Sequence, residues 1–141
     1  MAIKKFFIIS AMLLCALGGI SQTVYYPATS SELLQSTAKD VAALLQKAVS
    51  GSSFTTQPYT IKPSTGIVFM YDSAVNFNNQ TCKVQGNGSS YLSFAASQDN
   101  GLSFGIYQYL YQTGFRFYQP GTIWEIIPSL TSAFNKIDTL Y

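Results

Sequence analysis

The sequence predicts an α+β domain, an α/β sandwich in which two helices pack on a mixed sheet of four or five strands. Two separated segments carry apolar residues at helical spacing, and short apolar runs bounded by turn residues lie between and after them. The chain has 141 residues, with 48% hydrophobic, 15% aromatic and 10% charged residues. Such a composition is typical of a packed core rather than of disorder, and the length suits one domain.

The N-terminal segment has the features of a secretory signal peptide. Lys4 and Lys5 precede an apolar run from Phe6 to Leu17, and small residues follow it up to Ser21. The run is shorter than the ~20 residues that a membrane-spanning helix needs. We therefore predict a signal peptide over residues 1–21, no stable membrane span, and a secreted protein (extracellular, periplasmic or on the cell surface).

The first helix follows a polar lead-in over residues 25–31, for which no strand is predicted. Apolar residues then recur at spacings of three and four, which predicts a helix over residues 31–49; they are Leu34, Ala38, Val41, Leu45 and Ala48. Ser30 or Ser31 can cap its N-terminus, and Gly51 suits the left-handed conformation beyond its end.

Three extended elements are predicted next. Residues 54–62 contain Pro58 and are interpreted as an edge strand or an irregular extended segment. Residues 67–71 form a continuous apolar run, which predicts a central strand. Residues 82–85 and 91–95 flank the turn sequence Gly-Asn-Gly-Ser and predict an antiparallel hairpin.

A second helix is expected after Asp99 or Asn100, either of which can cap it. One of its faces carries Leu102, Ile106 and Leu110, and another carries Phe104, Tyr107 and Tyr111. A helix that is apolar on two sides is expected to be covered on both. Gly114 ends this helix, residues 115–118 form a strand that enters a turn over 119–121, and residues 124–127 give a last extended piece.

Charge and composition exclude several classes of function. Of the eight Lys and Arg residues, Lys4 and Lys5 lie in the predicted signal peptide, which leaves six basic against six acidic residues. A neutral domain lacks the clustered basic side chains that nucleic acids require. The sequence has no histidine, so imidazole-based catalysis is absent and we predict no metal and no cofactor. Cys82, alone after the signal peptide, is interpreted as a core residue.

Few residues are candidates for a site. Asp72, Glu125 and Asp138 have no structural role assigned by the pattern, but we predict no catalytic carboxylate pair among them. Arg116 is the only arginine and lies between two phenylalanines. It is predicted to pair with a carboxylate or carbonyl, with Glu125 the nearest downstream acid, or alternatively to contact a ligand. Tyr71, Tyr91 and Tyr107 are interpreted as core or half-core residues, although such side chains also stack on sugars.

Residues 101–128, GLSFGIYQYLYQTGFRFYQPGTIWEIIP, resemble a known family. They look like the end of the non-catalytic N-terminal α/β domain that precedes the catalytic barrel in alpha-glucuronidases, bacterial beta-hexosaminidases and related secreted proteins. The helix pattern Gly-x-Tyr-x-x-Leu is matched by Gly105, Tyr107 and Leu110. The aromatic strand and Pro-Gly turn are matched by residues 116–121, followed by Trp124 and Ile127-Pro128.

The resemblance implies a non-catalytic accessory domain over residues 22–130, with residues 131–141 beginning a missing following segment. A catalytic barrel needs about 250 residues, so we interpret the chain as a truncated fragment of a glycoside-hydrolase-like protein in carbohydrate metabolism. The parent family hydrolyses glycosidic bonds, whereas this chain alone is not expected to. Its expected partner is the barrel or a glycan, and the expected contact residues are Arg116, Tyr118, Trp124 and Glu125.

Two alternatives stay open at this point. The chain could be an autonomous carbohydrate-binding or surface-adhesion module that uses Arg116, Tyr118 and Trp124. It could also be a structural or assembly protein without a ligand.

Overall fold

The computed structural model of the chain describes residues 20–76, 78, 80–117 and 125–141. Two helices occur in this part of the chain, α1 (Glu32–Ala48) and α2 (Asp99–Gln112). The strands in chain order are β1 (Ile20–Pro27), β2 (Ser52–Tyr59), β3 (Gly66–Tyr71), β4 (Lys83–Asn87), β5 (Tyr91–Ala96), β6 (Arg116–Phe117), β7 (Glu125–Ile126) and β8 (Lys136–Leu140).

Six of these strands form one mixed sheet in the order β2-β1-β3-β5-β4-β8. β1 is parallel to β2 and β3, and β3 is parallel to β5, whereas β4 is antiparallel to β5 and β8. The short strands β6 and β7 form a separate antiparallel pair. The predicted α+β class is confirmed, and so are the central position of β3, the β4–β5 hairpin and the edge position of β2. The predicted four or five strands are too few.

Two strands of the main sheet were missed in the sequence. β1 overlaps the segment that was expected to be a polar lead-in. It gives a weak signal because only Val24 and Pro27 are buried, and its other side chains are half-buried or exposed. β8 lies in residues 131–141, which were assigned to the beginning of a following segment. Its charged residues Lys136 and Asp138 alternate with half-buried Ile137 and Thr139. Edge strands of this kind carry a weak hydrophobic signal.

The core lies between one face of the sheet and the two helices. α1 contacts β1 and β2, α2 contacts β5, and the helices contact each other. Ile67 and Phe69 of β3 pair in register with Leu92 and Phe94 of β5, so their side chains share the face under the helices, and all four are buried. Ser31 caps α1 by accepting a hydrogen bond from the Leu34 amide at 3.3 Å, as expected from the sequence.

The end of α2 and the turn after α1 also agree with the sequence. Gly114 has φ +109° directly after the C-cap of α2, and Gly51 has φ +75° in the turn that leads from α1 to β2. The start of α2 differs, because Gln98 is the N-cap residue and Asp99 lies in the first turn. The Asp99 carboxylate accepts a hydrogen bond from the Tyr71 hydroxyl, which links the end of β3 to the start of the helix.

Cys82 lies in the core, as predicted, and is fully buried. Its backbone exchanges two hydrogen bonds with Tyr141, at 3.0 and 2.8 Å, so the chain after β8 is fixed beside β4. Burial raises the pKa of the Cys82 thiol to about 12.

The predicted signal peptide falls almost entirely on residues 1–19, outside the described residues. Its last two residues, Ile20 and Ser21, lie in β1 and are in register with Ser52 and Ser53 of β2. Neither of the described helices has the length and hydropathy to cross a lipid bilayer.

Candidate functional site

A surface pocket with a volume of about 570 Å³ lies along one side of α2, and the candidate residue Arg116 lines it. We call it the aromatic groove. Its lining residues are Ser103, Phe104, Tyr107, Gln108, Tyr111, Arg116 and Phe117.

The helical repeat explains why these residues lie together. Phe104, Tyr107 and Tyr111 are spaced by three and four residues, so they share one face of α2. The opposite face carries Leu102, Ile106 and Leu110, which are buried against the sheet and α1.

Among the described residues, no element covers the second face of α2, contrary to the expectation from the sequence. The exposed fractions are 44% for Phe104, 38% for Tyr107 and 51% for Tyr111, and Phe117 of β6 beside them is 40% exposed. An apolar pattern on two sides of a helix therefore reflects here one core face and one surface of exposed rings. Contiguous exposed apolar surface of this kind marks interaction sites in soluble proteins.

Arg116 is held in the groove by backbone carbonyls. Its Nη1 donates hydrogen bonds to the carbonyl oxygen of Tyr111 at 2.6 Å and to that of Phe115 at 2.7 Å. The guanidinium carbon lies 3.9 Å from the centre of the Tyr111 ring, in cation–π geometry. The predicted pairing with a carbonyl is thus observed, and Arg116 orders the end of α2 while stacking on an exposed ring.

Tyr107 connects the groove to the rest of the domain. Its ring meets that of Phe117 edge to face, with centroids 6.0 Å apart, and its hydroxyl donates a hydrogen bond of 3.5 Å to Asp40 on α1. Burial raises the pKa of Tyr107, and the neighbouring Asp40 carboxylate raises it further. The hydroxyl therefore stays protonated at neutral pH and can donate to Asp40.

Ser103 was not recognised from the sequence. Its hydroxyl oxygen is buried and has no hydrogen-bond partner among the described residues, although the residue lines the groove. A serine on the first turns of a helix gives no signal in the sequence, because its role depends on which face the tertiary structure leaves open.

The remaining candidate acids have structural contacts. The Glu125 carboxylate lies 3.5 Å from the Lys47 ammonium, and this ion pair joins β7 to α1. Glu125 is opposite Phe117 in the β6–β7 pair, but among the described residues it forms no ion pair with Arg116. Asp72 accepts a hydrogen bond from the Ala74 amide within a turn, and Asp138 accepts one from the Gln85 side chain across β4 and β8. The structure does not bring these three carboxylates together at the groove.

Tyr118, Trp124 and the Pro-Gly turn at residues 120–121 lie outside the described residues, so their contacts stay predictions. Of the tyrosines interpreted as core or half-core, Tyr91 is half-buried, whereas Tyr71 and Tyr107 are more exposed than expected. No group of three or more potential metal ligands occurs in the part of the chain that the structure describes.

Comparison with known proteins does not identify a family for this chain. No family model matches the chain, and no curated protein is significantly similar to it.

Proposed function

We infer that the chain is a secreted, non-catalytic accessory domain of a glycoside-hydrolase-like protein, and that its aromatic groove contacts a second protein domain, the catalytic barrel. The observation that carries this proposal is the exposed ring surface of α2, on which Phe104, Tyr107, Tyr111 and Phe117 lie together. The segment that resembles the glycoside-hydrolase accessory domains is the same segment that forms this surface.

The chemistry of the groove favours a protein partner. Aromatic residues and arginine are the side chains most enriched where protein surfaces bind each other tightly. Arg116 already has its Nη1 bonded to two carbonyls, and its guanidinium carbon lies over the Tyr111 ring. A side chain fixed in this way loses little conformational entropy when a partner packs on it.

The positions of the acids support a role outside catalysis. Glu125 contacts Lys47, and Asp40 contacts the Tyr107 hydroxyl. Both contacts join α1 to the elements beside the groove. These carboxylates therefore lie next to the surface that we propose as the contact and have structural partners there.

The test is a binding measurement with the proposed partner. The DNA beyond codon 141 and the adjacent genes are read for a glycoside-hydrolase barrel, and that barrel is produced separately and titrated with this chain by calorimetry. We expect binding, and we expect the double variant Tyr111→Ser/Phe117→Ser to weaken it at least tenfold, or about 1.4 kcal/mol.

The matched control is Gln57→Ser, which changes an exposed residue of β2 outside the groove. It should leave the affinity unchanged. A locus without a barrel, or a barrel that does not bind the unaltered chain, would contradict the proposed function.

A further inference from the structure

A second concave surface lies at the amino-terminal ends of β1 and β3. We call it the hydroxyl cleft. The turn between α1 and β2, the β4–β5 hairpin and residues 131–134 close around it, and its volume is about 360 Å³. None of the residues of the aromatic groove lines it.

The described residues that line the cleft are neutral. Most of them are serines and threonines, among them Thr23, Ser90 and Thr131, and no charged side chain occurs among them. The aromatic rings of Tyr25 and Phe134 also line the cleft, as do Ile20, Gln22, Val49 and Gly66. Hydroxyl and amide groups beside an aromatic ring are the groups that recognise an uncharged, hydroxylated ligand, which carries both hydroxyls and apolar C–H faces.

Gln22 has a side-chain oxygen that can accept a hydrogen bond but receives none. Its side-chain oxygen is buried and has no hydrogen-bond partner among the described residues. Gln46 on α1 shows the contrast, because its oxygen accepts from the Phe54 amide at 2.9 Å and its nitrogen donates to the Ser52 carbonyl at 2.7 Å. A buried acceptor left unpaired is unfavourable, and a ligand hydroxyl that donates to it would remove this penalty on binding.

The walls of the cleft are fixed by backbone contacts. The Gly66 amide donates to the Ser90 carbonyl at 2.7 Å, which ties the start of β3 to the hairpin, and the Phe134 amide donates to the Ser132 hydroxyl at 3.0 Å. Gly66 has φ +87°, and a Cβ atom there would lie 2.8 Å from the Tyr25 ring. The ring therefore packs directly on the glycine backbone, so the cleft is preorganised.

We propose that the hydroxyl cleft binds a neutral oligosaccharide. The Gln22 oxygen accepts a hydrogen bond from a sugar hydroxyl, and the Tyr25 ring contacts an apolar face of a sugar ring. An acidic oligosaccharide is disfavoured because no cation among the described residues faces the cleft. This site goes beyond the proposed contact with a barrel and does not depend on it, since different residues form the two surfaces.

The experiment is a calorimetric titration of the full 141-residue chain with cellohexaose, xylohexaose and chitohexaose, and with an oligogalacturonate as the acidic comparison. Ile20 and Ser21, which also line the cleft, belong to the predicted signal peptide, so the titration is run both on the full chain and on the chain that begins at Gln22, and both forms are expected to bind. We expect at least one neutral oligosaccharide to bind and the oligogalacturonate not to bind.

The deciding variant is Gln22→Leu. It should weaken binding of the neutral oligosaccharide at least tenfold without lowering the melting temperature, because it removes an acceptor that has no partner in the free protein. Gln80→Leu, at an exposed position before β4 and outside the cleft lining, is the control and should bind normally. If Gln22→Leu does not fold, the isosteric change Thr131→Val tests the same cleft and should also weaken binding.

Three outcomes would overturn the proposal: no neutral oligosaccharide binds, the acidic one binds better, or the cleft variants bind as tightly as the unaltered chain. The groove variant Tyr111→Ser/Phe117→Ser should retain sugar binding. A failure of the barrel titration and a failure of the sugar titration can therefore be told apart.

Discussion

Gly105 shows how one residue serves the packing of α2 on the sheet. A Cβ atom at this position would lie 2.2 Å from the Cβ and 2.4 Å from the Sγ of Cys82. The helix can approach the start of β4 this closely only because the glycine has no side chain. The glycine of the Gly-x-Tyr-x-x-Leu pattern thus has a structural role, as does Leu110, which is buried.

We expect Gly105→Ala to lower the free energy of unfolding by roughly 3 kcal/mol, because overpacking outweighs the gain in helix propensity of about 1 kcal/mol. Urea denaturation measures this change. A second variant, Cys82→Gly, removes the Cys82 atoms that the new alanine side chain would contact. The double variant Gly105→Ala/Cys82→Gly should therefore be more stable than the sum of the two single changes predicts. Additive effects would show that Cys82 does not cause the constraint. Ser36→Ala, on the exposed side of α1, is the control.

Strand β2 shows how a strand at the edge of the sheet is protected from pairing with another chain. It pairs with β1 on one side only, so its other side presents backbone donors and acceptors to solvent. The Gln46 side chain bonds the Ser52 carbonyl and the Phe54 amide on β2, and Pro58 has no amide hydrogen to donate. Together they leave little of this edge free to pair with another chain.

We expect Gln46→Ala to open this edge. Stability should fall by only about 1 kcal/mol, since two solvent-exposed hydrogen bonds are lost, but the chain should self-associate because the edge becomes available for strand pairing. Analytical ultracentrifugation measures the association. Gln57→Ala on the same strand is the control, and a variant that sediments as the unaltered chain does would refute the protective role of Gln46.

At the scale of the whole molecule, the last strand completes the sheet. β8 pairs with β4 over five residue pairs, from Lys83↔Leu140 to Asn87↔Lys136. Ile137 packs against the core, and the Tyr141 hydroxyl donates a hydrogen bond of 2.8 Å to the side chain of Gln112 on α2. Residues 136–141 are therefore part of the domain, although the sequence assigned them to a following segment.

Removing residues 136–141 should lower the free energy of unfolding by roughly 3–5 kcal/mol, because several backbone hydrogen bonds are lost and core side chains become exposed. Thermal unfolding followed by circular dichroism measures the loss. Lys136→Gln, which keeps the strand, should unfold like the unaltered chain. An unchanged melting temperature after the truncation would show that β8 does not contribute to the fold.

The sequence by itself determined the elements with strong local signals. The apolar stripe of α1, the continuous apolar run of β3 and the turn residues of the β4–β5 hairpin are local patterns, and they sufficed for the α+β class. It also singled out Arg116, which was predicted either to pair with a carboxylate or carbonyl or to contact a ligand, and the structure shows contacts with two carbonyls.

Only the tertiary structure decided which strands join the edges and which surfaces stay open. β1 and β8 have polar, weakly alternating sequences and are strands because their backbones pair with neighbours distant in the chain. Both faces of α2 carry large apolar or aromatic residues, and packing buried the aliphatic face and left the aromatic face as the groove. The hydroxyl cleft had no local signal, because it joins residues from β1, β3, the hairpin and the segment before β8 whose proximity depends on the three-dimensional fold.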